Sequence, residues 1–266
     1  MLNDSSDAKP KKLPVAVPAD ARHAPWGPSS AILVSVLSFI VGSFVAGGLT
    51  YAIAGLLGKS AHQTNEWLSS VTGQFIFVLC AESIVIGLVM LFLRYRKTTL
   101  KALGFHRGLI WKDVAFAVAG FAAYFIMLMI ATALAKELLH VNVDQKQELG
   151  FDNVFTTGQR IMTFVSLVIL PPLAEEILFR GFLYTGVRKR LPFIWATLFV
   201  SFIFASLHLM ESSEGLLWIA GIDTFILSVV LCYLREKTGN LWAGIILHSL
   251  KNLLAFIFLY LVGFQV

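Results

Sequence analysis

Residues 161–184 read IMTFVSLVILPPLAEEILFRGFLY. At about 1.5 Å of rise per residue, a helix of this length crosses the roughly 30 Å hydrocarbon core of a bilayer. Two carboxylates, Glu175 and Glu176, and one guanidinium, Arg180, stand inside it. An ionisable group within a membrane span is costly and marks a functional site by default. Everything else in the chain turns on whether this stretch lies in a membrane.

Its surroundings say that it does. The 266 residues are 57% hydrophobic and 14% charged, with a mean hydropathy of +0.77. Soluble domains carry about 25% charged residues. The apolar residues fall into long blocks, at 31–57, 71–93, 113–135, 161–184, 193–210, 216–234 and 241–262. These predict an all-α, polytopic membrane helix bundle of seven transmembrane helices, or eight elements if Pro171 and Pro172 divide the fourth. Residues 1–30 are polar, with five prolines among them, and read as a disordered tail. Residues 31–135 form an N-terminal three-span region and 160–262 the part that carries the chemistry. The first apolar block starts too late and runs too long for a signal peptide.

Cys80 and Cys232 lie in apolar blocks and read as free thiols, so neither a disulfide framework nor a cysteine-based zinc site is expected. The net charge of +5 reflects loop lysines and arginines rather than a nucleic-acid surface, and no nucleic-acid partner is expected. Loops rich in Lys and Arg alternate with poor ones; the stretch around Glu211 and Glu214 has no cation. This predicts a cytoplasmic N-terminus in the cell membrane, and seven spans then place the C-terminus outside.

Few ionisable groups fall within the spans: Glu82, Glu175, Glu176, Arg180, His208, Asp223, His248 and Lys251. Glu176 and Arg180 are i and i+4, share a helix face and can pair. Glu175 is turned about 100° away, with no local cation, which suits a general base in a site of low dielectric. The alternative is that all three form one ion network that only fixes helix packing. His208 ends the run Phe204-Ala205-Ser206-Leu207-His208. His248 and Asn252 are again i and i+4 and could together support a developing oxyanion; interhelical hydrogen bonding is the plainer use. A carboxylate with imidazoles is equipment for activating water, directly or through a divalent metal such as zinc held by Glu175, His208 and His248. No HExxH helix is present. Ser206 and Ser249 neighbour histidines at spacings that do not face one another on a helix. Lys251 could snorkel, pair with Glu82 or Asp223, or point into a cavity.

Taken in order, EExxxR at Glu175–Arg180, FxxxH at Phe204–His208 and HxxxN at His248–Asn252 resemble the three motifs of the CAAX-protease and bacteriocin-processing family of intramembrane endopeptidases. The resemblance covers about residues 160–262 and implies a helical fold with a central intramembrane cavity. It implies peptide-bond hydrolysis by a glutamate-activated water, with Glu175 as the activating acid, His208 as its partner, and His248 and Asn252 as oxyanion support. Glu176 and Arg180 match the remaining positions. The implied substrate is a hydrophobic or lipidated peptide, CAAX-like or bacteriocin-related, taken from among membrane lipids. Family members are often called metalloproteases, although metal-free chemistry has also been argued. A non-catalytic immunity or scaffold protein is the competing reading, and a transporter a weaker one. Straight helices would put Glu175 roughly 20 Å, His248 about 12 Å and His208 about 25 Å from the inner ends of their spans. Tilt or the Pro171-Pro172 break must absorb that spread.

Overall fold

The computed structural model describes residues 24–142, 145, 150–151, 153–209 and 215–262. The loop around Glu211 and Glu214, and the tail as far as His23, lie outside the described residues. Eight helices of more than one turn follow: α1 (Pro28–Leu56), α2 (Ala61–Leu68), α3 (Val71–Tyr95), α4 (Trp111–Leu139), α5 (Thr157–Arg188), α6 (Phe193–His208), α7 (Trp218–Thr238) and α8 (Trp242–Val262). No strand occurs among the described residues. Six helices are long and apolar enough to cross a membrane: α1, α3, α4, α5, α7 and α8. The fifth apolar block becomes α6, whose 16 residues rise only about 24 Å, less than the roughly 30 Å of a hydrocarbon core. The eighth helix does not arise at the prolines. It is α2, a short helix closed by a capping box between Ser60 and Gln63.

The long helices differ in how much they hide. In the apolar windows of α1, α3, α4 and α8 only 17–22% of residues are buried, against 44% in α5 and 56% in α7. The first group therefore presents its side chains to lipid, and α5 and α7 form the inside of the bundle. The three long helices before residue 140 divide between two flanks: α1 and α3 pack together and against α5, whereas α4 packs on α7 and α8. At one end of the bundle Glu236 of α7 accepts from Tyr184 Oη at 2.8 Å and pairs with Arg188 at 2.8 Å, tying α7 to α5.

The segment from Ala24, expected to belong to the tail, packs on the bundle. Ala24 and Trp26 are buried, and α1 already begins at Pro28. The Trp26 ring stacks on Phe182 of α5 with centroids 4.8 Å apart, and its indole N–H donates to the Phe182 carbonyl at 3.1 Å. Lys189 Nζ donates to the Ala24 carbonyl at 2.7 Å, and Arg96 donates to the Pro25 carbonyl. Gly186 makes room for this strap: a Cβ there would sit 2.5 Å from Ala31 Cβ and 2.8 Å from Trp26 Cδ1. Buried aromatic area outweighs the polar, proline-rich look of the segment.

Pro171 and Pro172 do not cut α5. The helix stays continuous through two wide turns of π type, Val165–Ile169 before the prolines and Glu176–Leu183 after them. Pro171 lacks the N–H that would satisfy the carbonyl of Leu167, four residues earlier. Asn252 on α8 supplies the donor instead: its Nδ2 lies 2.8 Å from Leu167 O. A neighbouring helix thus completes the backbone of the helix that carries Glu175 and Glu176, as apolar surroundings require.

Candidate active site

Glu176 is fully buried, with Arg180 Nη1 2.8 Å from its Oε1. Arg180 is also fully buried, and its guanidinium lies over the Phe204 ring of α6, 4.4 Å from the centroid. The expected i, i+4 pair therefore forms, and a cation–π contact braces it. Glu176 does more than pair with arginine: its Oε1 also lies 3.4 Å from Nδ1 of His248 on α8. Gly244, one turn earlier on α8, allows this approach, since a Cβ there would stand 2.8 Å from Glu176 Oε2.

A carboxylate only accepts, so the His248–Glu176 bond places the imidazole proton on Nδ1. The lone pair of a neutral His248 ring is then on Nε2, which lies 3.8 Å from Oε2 of Glu175. That oxygen is buried and accepts no hydrogen bond from the described residues, while the Glu175 side chain as a whole is 22% exposed. The two glutamates thus differ as their positions on the helix predicted. Glu176 is locked into an ion pair, and Glu175 stands open with one oxygen unpartnered.

His208 sits at the C-terminal end of α6. Its Nδ1 is 2.9 Å from the Phe204 carbonyl, and its ring packs on Phe204 with centroids 4.7 Å apart. Glu175 interacts electrostatically with His208, Glu82, Arg180 and Glu176, and His248 brings a second imidazole to within 3.8 Å of its carboxylate. Phe204 bridges the two histidines, its ring centroid 6.1 Å from that of His248. The reading of Asn252 needs a larger change. One of its amide hydrogens is held by Leu167 O, so its first task is structural. Replacing Asn252 with leucine should leave that carbonyl bare and destabilise the protein by about 1–3 kcal/mol. Thermal unfolding in detergent micelles measures this, and an unshifted midpoint would refute the backbone role.

Sequence reasoning missed Phe204 as a member of the site and Tyr124 altogether. Phe204 was visible only as the first letter of a motif. Tyr124, on α4, donates to Asp223 of α7, and Asp223 in turn pairs with Lys251 of α8 at 2.9 Å. That contact settles the choice for Lys251 between Glu82 and Asp223. As for a metal, no group of three His, Cys, Asp or Glu side chains among the described residues could hold one. Glu175, His208 and His248 are therefore not such a group among the described residues.

The fold and site define a class: a polytopic helix bundle with a carboxylate and imidazoles gathered between its inner helices. Residues 157–254 match the family model described as Rce1-like, type II CAAX prenyl endopeptidase Rce1-like. The match covers a little over a third of the chain and supports membership of the CAAX-protease and bacteriocin-processing family. The match supports, in general terms, a CAAX-type intramembrane protease, and with the six long apolar helices it points to an integral, multi-pass membrane protein. No curated protein and no solved structure gives a significant match.

Proposed function

We propose that the protein hydrolyses a peptide bond of a hydrophobic or lipidated peptide, CAAX-like or bacteriocin-related, with a water activated by Glu175. The observation that carries this reading is the unpartnered Glu175 Oε2 facing His248 Nε2 across 3.8 Å. A water at about 2.8–3.0 Å from each atom spans that gap with ordinary hydrogen bonds. Both of its hydrogens then point at acceptors, and a lone pair points away, toward a substrate carbonyl carbon.

Glu175 takes a proton from the water as the water oxygen bonds to the carbonyl carbon. The tetrahedral intermediate collapses by breaking the C–N bond, and the proton held on Glu175 passes to the leaving nitrogen. The products are one new carboxylate and one new amine. Glu176 acts through His248 by fixing its tautomer, and Arg180 holds Glu176 in place at 2.8 Å. His208, with its Nδ1 2.9 Å from Phe204 O, acts on Glu175 electrostatically from the end of α6. Of the two residues read as oxyanion support, Asn252 alone keeps an N–H for that task, its second amide hydrogen. No step passes through a metal. The excess of Lys and Arg in alternate loops supports a cytoplasmic N-terminus in the cell membrane.

The test uses purified protein in phospholipid vesicles and an S-farnesylated peptide that ends three residues after its cysteine, followed by mass spectrometry. A single cut after the lipidated cysteine is expected, faster than in the same peptide without lipid. A zinc chelator should leave the rate unchanged. Failure to cut either peptide would overturn the proposal.

A further inference from the structure

Lys251 and Asp223 form a further ion pair between the spans, and they differ from Arg180 and Glu176. Arg180 and Glu176 are sealed, with side chains 0% and 1% exposed, whereas Lys251 and Asp223 remain 20% and 16% exposed. A pair that only fixes packing in a membrane gains nothing from being open, because charge there is costly unless it is sealed or used. The hydrogen-bonding capacity is also uneven. Asp223 receives the Tyr124 hydroxyl on Oδ1 and Lys251 on Oδ2. Lys251 has three N–H donors, and Asp223 is the partner recorded for it. Asp223 thus holds the ammonium at 2.9 Å while leaving it donors to offer.

The pair lies beside the proposed site. Lys251 follows His248 by three residues on α8, so the two share a flank, and its charge acts on the His248 ring. Three residues advance about 4.5 Å along a helix, and the four-carbon stem carries the ammonium further. Three extended peptide residues span about 10 Å. A peptide cut three residues from its end would bring its terminal carboxylate to this distance from the scissile bond. In surroundings of low dielectric that carboxylate needs a cation.

We infer that Lys251, held by Asp223, anchors the C-terminal carboxylate of the peptide substrate and so sets the distance from the chain end to the cut. This rests on the protease reading above. It makes Lys251 a specificity-determining residue that does not touch the reacting bond.

Two S-farnesylated peptides that differ only at the terminus, free carboxylate against carboxamide, are to be compared in vesicles. The wild type should cut the free acid with KM about 10- to 100-fold lower, the worth of one charged hydrogen bond. Lys251→Met with Asp223→Asn removes both charges together and should bring the acid-to-amide ratio close to one; Lys251→Arg should preserve it. The ratio within one preparation is independent of how much protein is folded. A merely structural ion pair would lower both rates and leave the ratio alone. Equal cutting of both peptides by the wild type, or a ratio that survives in the double variant, would overturn the inference and leave the protease reading standing. Cutting of neither would remove both.

Discussion

Glu175→Gln should lower the rate of peptide hydrolysis by about 10²–10⁴-fold, the range expected for a positioned general base, while the protein melts at the wild-type temperature. Both halves of this expectation come from one geometry. Glu175 Oε2 accepts no hydrogen bond from the described residues, so an amide of the same size breaks no contact there. The side chain is 22% exposed, and the salt bridges that hold the inner helices run through Glu176 and Glu236. What glutamine loses is the capacity to accept a proton. Glu175→Asp sharpens the test: it keeps the charge but draws the carboxylate away from His248 Nε2, already 3.8 Å distant. A misplacement near 1 Å can cost about 10²-fold, so aspartate should fall well below the wild type. Rates come from mass spectrometry in vesicles and stability from thermal unfolding of the same preparations. Normal turnover by the glutamine variant would end the proposed mechanism. A large loss of stability would assign Glu175 to packing instead.

The membrane helices were legible because each is a long apolar block, and the site because polar residues are conspicuous in such blocks. Spacing alone separated Glu175 from Glu176, since i, i+4 geometry gave Arg180 to one of them. What could not be read was which atoms meet across helices. His248 and Glu175 belonged at different depths on straight helices, yet their side chains lie 3.8 Å apart. The fourth span is not straight: two wide turns bracket the prolines and shift its register. The role of Asn252 follows from the same distortion, because the orphaned Leu167 carbonyl exists only where Pro171 meets α8. Tyr124 gave no signal, since a tyrosine in an apolar helix needs a partner that only tertiary structure names. Trp26 was hidden by polar and proline-rich neighbours, although its ring packs against Phe182 of α5.

Replacing Arg180 with methionine should destabilise the protein by about 3–5 kcal/mol, the cost of stranding one member of a buried ion pair. Glu176 would keep only the longer 3.4 Å contact with His248 to set against its burial. Lysine should not rescue it, because the guanidinium also lies flat over Phe204 at 4.4 Å, a contact that an ammonium on a flexible stem makes less well. The double variant Arg180→Met, Glu176→Leu separates stability from chemistry. Removing both charges of a buried pair is often neutral or better for folding, so most of the lost stability should return. Hydrolysis should not return with it, since His248 loses the carboxylate that fixes its proton on Nδ1. An ion network that served packing alone would regain both together. Thermal unfolding and turnover, measured side by side for the single and double variants, therefore show whether Glu176 and Arg180 act on the reaction through His248 or only hold α5 in place.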